Sequence, residues 1–523
     1  MLSCKFYQQS LAHVDPAELR LPPGSFEVGL RTHLTKLVGV DDFRELHPSA
    51  EGAPTCDPLV LTAMLLLQFR YGYADEELIT ACRCDLRLRY ALGLEKGQFP
   101  PSSASLKRFR SAIREKKGAD WMWKLSLKLP IAAGMVKPEE LQGADSTNTD
   151  CRGAVIDTFC LIATAIRQVI GAVARVLRRD VRDLARSWDA TRYLARSVKG
   201  QAAIDWSNPA ARNGLLTTEI ADVERIAGLV ETLGVEMPSN VTDALALMRQ
   251  VAMQDVEKLP DGTYRIAQGT VSGRIVSITD PEARHGRKSA SKTITGFKTH
   301  LVGTLDSQFV TAIVTTDASV HDAAPTPELI KQADSVGLKP KEMSADAAYG
   351  TAANRQACAD LGVTIHAKLP TPNHQGFTKR EFKIDLDKMT VTCPNNQVAA
   401  TTTMVVDPTG TGQRVPQFRF APATCKACPL RERCSTSTAR GEGRKIILHP
   451  HEKQLQEAQV DNARPETKAA LRKRSAIERL ISHLVRMGMR QARFFGLHMV
   501  QFQAFMTAAA YNLQRYFTLA AAA

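Results

Sequence analysis

The stretch that decides the fold is Ser344–Pro370, "SADAAYGTAANRQACADLGVTIHAKLP". A short run ends at Asp346, Tyr349-Gly350 marks a turn, a helix-like stretch follows, and the apolar run "VTIHAKL" comes next. The unit reads as strand, turn, helix. A carboxylate at its mouth can cap the helix that starts near Thr351. It can instead hold a metal ion, and that requires partners from elsewhere in the chain.

Upstream, Gly273–Asp322 contains three β-branched runs separated by Pro, Gly and Asp-Ser turn signals, and "AAPTPELIKQADSVG" then reads as a helix. Strand, helix, strand, helix, strand in this order predicts a mixed α/β sheet with a partly antiparallel edge. Before it, the first ~130 residues read as helices. They include the Asp57-Pro58 start of "DPLVLTAMLLLQF" and the basic helix "PSSASLKRFRSAIREKK" behind a Pro-Ser cap. Such basic helices suit a DNA-binding or dimerisation module, or simply a solvated face. Residues 154–265 also read as helices, 380–445 are rich in Thr, Pro, Gly and Cys, and long helices close the chain.

Two further acids can join Asp346. Asp145 ends a strand candidate in "EELQGADSTNTD". Glu478 lies on "RKRSAIERLISHLVR", where Ile477, Leu480, Ile481 and Leu484 mark the buried side and Arg474 and Ser482 share the glutamate's face. Two strand-end aspartates and one helical glutamate would form an oxygen-rich cage for a hard divalent cation such as Mg2+. Spacing alone leaves each acid free to be a cap or a surface residue instead.

Composition narrows the partners. At 523 residues the chain exceeds what one hydrophobic core holds. The net charge of +14 and pI of about 9.3 point to polyanions, nucleic acid first. "LVLTAMLLLQF" is shorter than the ~20 residues that cross a bilayer. The start of the chain does not read as a signal peptide, and the eleven cysteines are mostly scattered. The expectation is a soluble cytoplasmic protein with no membrane partner.

The chain resembles the DDE transposases of bacterial insertion sequences, in particular the IS-eleven-eighty-two group. The resemblance rests on "ADST", "ITDPEARHGRKS" with "GFKTHLV", "VHD", "SADAAYG", "CP…CKACPLRERC", "RSAIERLISHLVRMGMRQARFFG" and "NLQR", in that order. It implies a ribonuclease H-like α/β fold in which the first strand carries Asp145, the fourth Asp346 and a late helix Glu478. Residues 1–135 would be an N-terminal helical domain and 136–520 the catalytic domain, interrupted by a helical insertion at 154–265 and a Cys-rich one at 385–445. Arg474 matches the family's arginine four positions before the glutamate. Leu471 stands where a tyrosine is expected, and Val485, with Arg486 beside it, where a lysine is expected.

The implied reaction is cleavage at element ends and strand transfer into double-stranded target DNA. Two Mg2+ ions (or Mn2+ in vitro) would serve an in-line displacement. Asp145 would bridge both, with Asp346 and Glu478 on either side. Arg284, Arg287 and Lys288, read as a flexible basic loop, would clamp the DNA backbone, and Lys298 and Arg474 would contact phosphate. Asp322 reads as the cap of the following helix. Cys425 and Cys428 form a CxxC, and Cys393 and Cys434 could complete one structural zinc site or a cluster of reduced thiols. Processing two ends together implies a homo-oligomer, a dimer on DNA. A structure-specific nuclease and a non-catalytic DNA-binding protein on the same fold are the alternatives.

Overall fold

The computed structural model describes residues 19–46, 56–95, 97–269, 271–289, 292–369, 376–408, 412–434 and 443–523. Its centre is the strand β1, Gln142–Asp150. This strand runs five residues past Asp145, where the sequence suggested an end. The small hydroxylated residues alternate as a strand does, with Thr147 and Thr149 buried and Asn148 and Asp150 turned outward. The Thr149 hydroxyl meets that of Thr299 at 3.1 Å.

Around β1 lie β2 (Arg284–Ser289), β3 (Lys292–Thr304), β4 (Val310–Asp317), β5 (Glu342–Ala345) and β6 (Thr364–His366). β1 pairs antiparallel with β3, Asp145 opposite Leu301, and β3 pairs antiparallel with β4. On its other side β1 runs parallel to β5, which runs parallel to β6. Leaving β2 aside, the strands in chain order lie 3-2-1-4-5 across the sheet. Three antiparallel strands followed by two parallel to the first make a ribonuclease H-like sheet, as expected. The basic segment expected as a loop is instead β2, hairpinned onto the start of β3 with a bulge between Arg287 and Ser289. Paired with β3, it satisfies its backbone groups in the ladder rather than in water.

Helices cover both faces. Toward one, the last helices and the N-terminal ones share a single core with Leu301, Val310 and Ile313 of the sheet. The N-terminal contributors are α1 (Phe26–Leu37), α2 (Pro58–Tyr71), α3 (Asp75–Cys84), α4 (Leu86–Leu92), α5 (Ser103–Lys116) and α6 (Trp121–Ala132). Phe26 meets Phe517 and Trp123 meets Phe505 with ring centroids 5.8 and 5.7 Å apart, so the N-terminal helices pack against the last helix.

A separate core lies between β1 and β2 in the chain. It is built by α7 (Thr158–Val176), α8 (Pro209–Glu231) and α9 (Ser239–Met253). By length and composition α7 could cross a membrane, but its Ile162, Ile166, Val169 and Ile170 are buried in this core. After β6, residues 401–406, 414–419 and 445–447 form a three-stranded antiparallel sheet, which the Thr- and Pro-rich texture had concealed. The chain ends with α10 (Ser475–Arg486) and α11 (Leu497–Ala522).

An acidic cleft at the strand ends

Register brings the two aspartates together. Ala144 of β1 pairs with Ala345 of parallel β5. Asp145, within β1, and Asp346, just past the end of β5, are each one residue further on and therefore stand at the same level, a strand spacing of ~4.8 Å apart. Asp346 does cap: its carboxylate accepts from the Ala348 N–H at 2.9 Å. The turn it caps, however, is Ala347–Gly350, while Thr351 caps the helix Ala352–Asp360. One oxygen is thus held at the cleft by a local turn, so capping and lining the cleft coexist.

Helix α10 supplies Glu478. Its Ile477, Leu480, Ile481 and Leu484 are all buried, as the spacing required, each worth about 1.5–3 kcal/mol. The sheet beneath is flattened by two paired glycines, Gly143 and Gly303. A Cβ on Gly143 would stand 3.1 Å from the Cβ of Ile477, and one on Gly303 would stand 2.7 Å from Leu480 Cδ1. The bare backbone lets α10 settle on β1, which leaves Glu478 over the same opening as the aspartates.

All three acids line one cleft of about 640 Å³. Arg474 ties two of them: its guanidinium donates to Glu478 at 2.8 Å and stands 3.5 Å from Asp145. Burial pushes the Asp145 carboxyl up to about 6, and the charges of Asp346 and Glu478 add to this; the Ser146 N–H at 2.7 Å and Arg474 oppose it. The raised value thus reflects first the low exposure of Asp145 and only second the neighbouring acids, which Arg474 partly offsets.

The other expected residues divide. Arg287 and Lys298 line the cleft. Lys298 is held by Asp322 at 3.0 Å and donates to the Val320 carbonyl at 2.8 Å. Arg284 bonds the carbonyls of Pro281 and Ala283 instead. The side chain of Lys288 lies outside the described residues. Asp322 caps no helix, since the helix Thr326–Asp334 begins after Pro325; it is a fourth carboxylate of the cleft.

Two residues went unnoticed in the sequence. Arg490 lines the cleft together with Val485, so a cation is present although the expected lysine is absent. Tyr349 is fully buried, its hydroxyl lies beside Ser146 without a well-formed hydrogen bond, and its pKa is pushed upward by burial and then by Asp145, Asp322 and Asp346, with Ser146 opposing. Only the Tyr-Gly pair hinted at it, and that pair signals a turn.

The donor chemistry of the cleft, four carboxylates with the hydroxyl and amide oxygens of Ser146, Thr147, Ser482 and Asn148, is oxygen-rich and fits hard divalent cations. As arranged, no three His, Cys, Asp or Glu side chains among the described residues are disposed to hold a metal ion. Arg474 occupies the space between Asp145 and Glu478. The four cysteines Cys393, Cys425, Cys428 and Cys434 line one cavity of about 240 Å³ and are unpaired. Burial raises the Cys434 thiol, and the other three thiols raise it further. They too fall short of a metal-holding group, and Cys393, Cys425 and Cys434 pack against Phe382 and Phe420, so the geometry lends a zinc site no support.

Sheet order and an acid-lined cleft at the strand ends define the ribonuclease H-like class. Within it, residues 392–517 match the family model described as "Transposase DDE domain", and residues 17–112 match "Transposase domain (DUF772)". The first match includes Glu478 but neither aspartate. Together the matches support a DDE transposase of insertion sequences, a nucleic-acid-cleaving class that binds DNA and generally uses divalent metals. No curated protein and no solved structure matches the chain.

Proposed function

We propose that the chain cuts DNA at the ends of an insertion sequence of the IS-eleven-eighty-two kind and joins those ends to target DNA. The observation that carries this is the meeting of Asp145, Asp346 and Glu478, from three remote segments, in one cleft. Asp145, Asp346 and Glu478 would hold Mg2+ or Mn2+, Asp145 between the other two. Such cations supply a nucleophile at neutral pH and neutralise the leaving 3′ oxygen.

The remaining steps belong to the chain. Arg474 already compensates Asp145 and Glu478, so a cation arriving there frees its guanidinium to turn toward a phosphate, which it can grip with two parallel donors. Arg287 and Arg490 flank the same opening and favour a phosphodiester over a neutral substrate. Lys298 is tied to Asp322 and contributes chiefly to the field. Two element ends processed together call for a dimer on DNA, acting in the cytoplasm.

The test is incubation with a duplex carrying the element's end and Mg2+, with products read at nucleotide resolution. A free 3′-hydroxyl at the end followed by a joined product is expected. Cleavage without joining would make the chain a nuclease, and no metal-dependent cleavage would end the proposal.

A further inference from the structure

A second cleft, of about 830 Å³, opens beside the first. Helix α5 walls one side of it and residues 488–499 the other. Five cations line it: Lys107, Arg110 and Arg114 from α5, Arg152 just past β1, and Arg493. Two carboxylates at the start of α3 oppose them, and both are engaged. Asp75 holds Arg110 at 2.7 Å and Lys107 at 3.9 Å. Glu77 accepts from the Ala74 N–H at 2.7 Å. Glu115 stands 3.5 Å from Arg114, so two positive charges are left over, and Arg110 and Arg493 stand near enough to repel one another.

Aromatic rings interleave with these cations. Arg110 lies over Phe494 at 5.3 Å and Arg152 over Phe495 at 5.2 Å, the latter ring 45% exposed. Stacking holds the guanidinium planes in place; Arg110 also donates to Asp75 and Arg152 to the Arg493 carbonyl, which leaves their remaining N–H groups for an anion.

The two clefts share a wall. Arg490 faces the acidic one and the adjacent Gln491 faces the basic one. That wall is fastened to the end of the Asp145 strand: the Asp150 N–H donates to the Arg490 carbonyl at 2.7 Å, and the Ala492 N–H donates to the Asp150 carbonyl at 2.9 Å. A polyanion lying along the basic cleft is thereby held in fixed register with the acids.

We propose that this basic cleft binds the phosphate backbone of the same double-stranded DNA whose scissile phosphate enters the acidic cleft. The inference rests on the function proposed above. Fixed guanidinium groups that contact phosphates position a duplex without reading its sequence. This assigns DNA positioning to the seam between the N-terminal helices and the segment after Glu478.

The experiment measures affinity for a mixed-sequence duplex against salt concentration. It compares the full chain, the double variant Lys107→Ala/Arg114→Ala, and a remote exposed pair, Arg178→Ala/Arg179→Ala, on the helical insertion. The full chain should show a steep salt dependence. The double variant should lower the slope by about 2, near 0.9 per lost phosphate contact, and the remote pair should not. Because Arg114 is partly packed, Lys107→Glu alone, at a 59% exposed side chain, should lower affinity in the same direction. Slopes unchanged in both variants, or equal losses from the remote pair, would overturn the proposal. Metal-dependent cleavage of an end duplex, read in parallel, separates the two ideas. A lowered slope without cleavage in the full chain would keep the groove and sink the transposase reading. Cleavage with unchanged slopes would do the reverse.

Discussion

Two carboxylates in this chain are pushed well above their ordinary range, and they behave as opposites. Asp145 rises to about 6 in a cleft where its side chain is 18% exposed, with Arg474, the Ser146 N–H and two other acids around it. Glu219, on α8 in the helical insertion, rises to about 8, and neither of its oxygens has a hydrogen-bond partner. Burial is the leading cause for both; Arg192 and Lys199 favour the charge of Glu219, and Asp157 and Asp222 oppose it. A perturbed carboxylate is therefore not by itself a site. What distinguishes Asp145 is an opening to solvent and convergence with other charged groups, which give a cation and a phosphate somewhere to bind.

The comparison breaks most sharply at the acids themselves. Asp145→Asn, Asp346→Ala and Glu478→Gln should each lower cleavage on the order of 10³-fold or more, since the cation's charge stabilisation is worth several kcal/mol. DNA binding should persist. Loss of binding together with a lowered melting temperature would mark the residue as structural.

Glu219 should answer to pH in stability, not in chemistry. Its folded-state value, about 8, lies above the ordinary 4.5, so the native state holds a proton that the unfolded chain releases. Its stabilising share is complete below 4.5 and is lost as pH rises toward 8. At about 1.4 kcal/mol per unit, on the order of 3 kcal/mol is lost by neutral pH. Urea melts of Glu219→Gln should match those of the natural chain near pH 4.5 and exceed them at pH 8. A difference that stays flat with pH would show that Glu219 ionises freely.

The next effect is steric. Gly143→Ala places a Cβ 2.6 Å from Leu305 Cδ2, whose tip must turn aside, and 3.1 Å from the Cβ of Ile477, which presses α10 outward by a few tenths of an ångström. A cost of about 1–3 kcal/mol in stability is expected, with a fall in cleavage because Glu478 moves with the helix. Stability lost at full activity would mean that Leu305, and not α10, gives way.

Much of this arrangement was legible in the sequence. The β-branched runs announced the sheet, and the apolar spacing from Ile477 to Leu484 gave the buried face of the Glu478 helix. Local pattern could not show pairing partners. Ser146–Asp150 reads as a loop until Thr149 meets Thr299, and the Arg284–Ser289 segment reads as a basic loop until β3 accepts it as a hairpin. Periodicity likewise shows which face of a helix is apolar but not what covers it, so the shared core of the N-terminal helices and α11 stayed hidden.

Tyr349 tests the smallest margin. A buried hydroxyl without a well-formed hydrogen bond costs up to about 1–3 kcal/mol, and this one, beside Ser146, is pressed by the charges of Asp145, Asp322 and Asp346 beneath the cleft. Donation to a carboxylate or water that shifts when cation and DNA arrive would recover that cost only in the working complex. Tyr349→Phe should then fold as stably as the natural chain, or more so, because the stranded hydroxyl is gone. Cleavage should fall about 10-fold, with more Mg2+ needed for half-maximal rate, as when an outer partner of a metal ligand is lost. An unchanged Mg2+ dependence would reduce Tyr349 to a packing residue and leave the cleft's special character to its acids and Arg474.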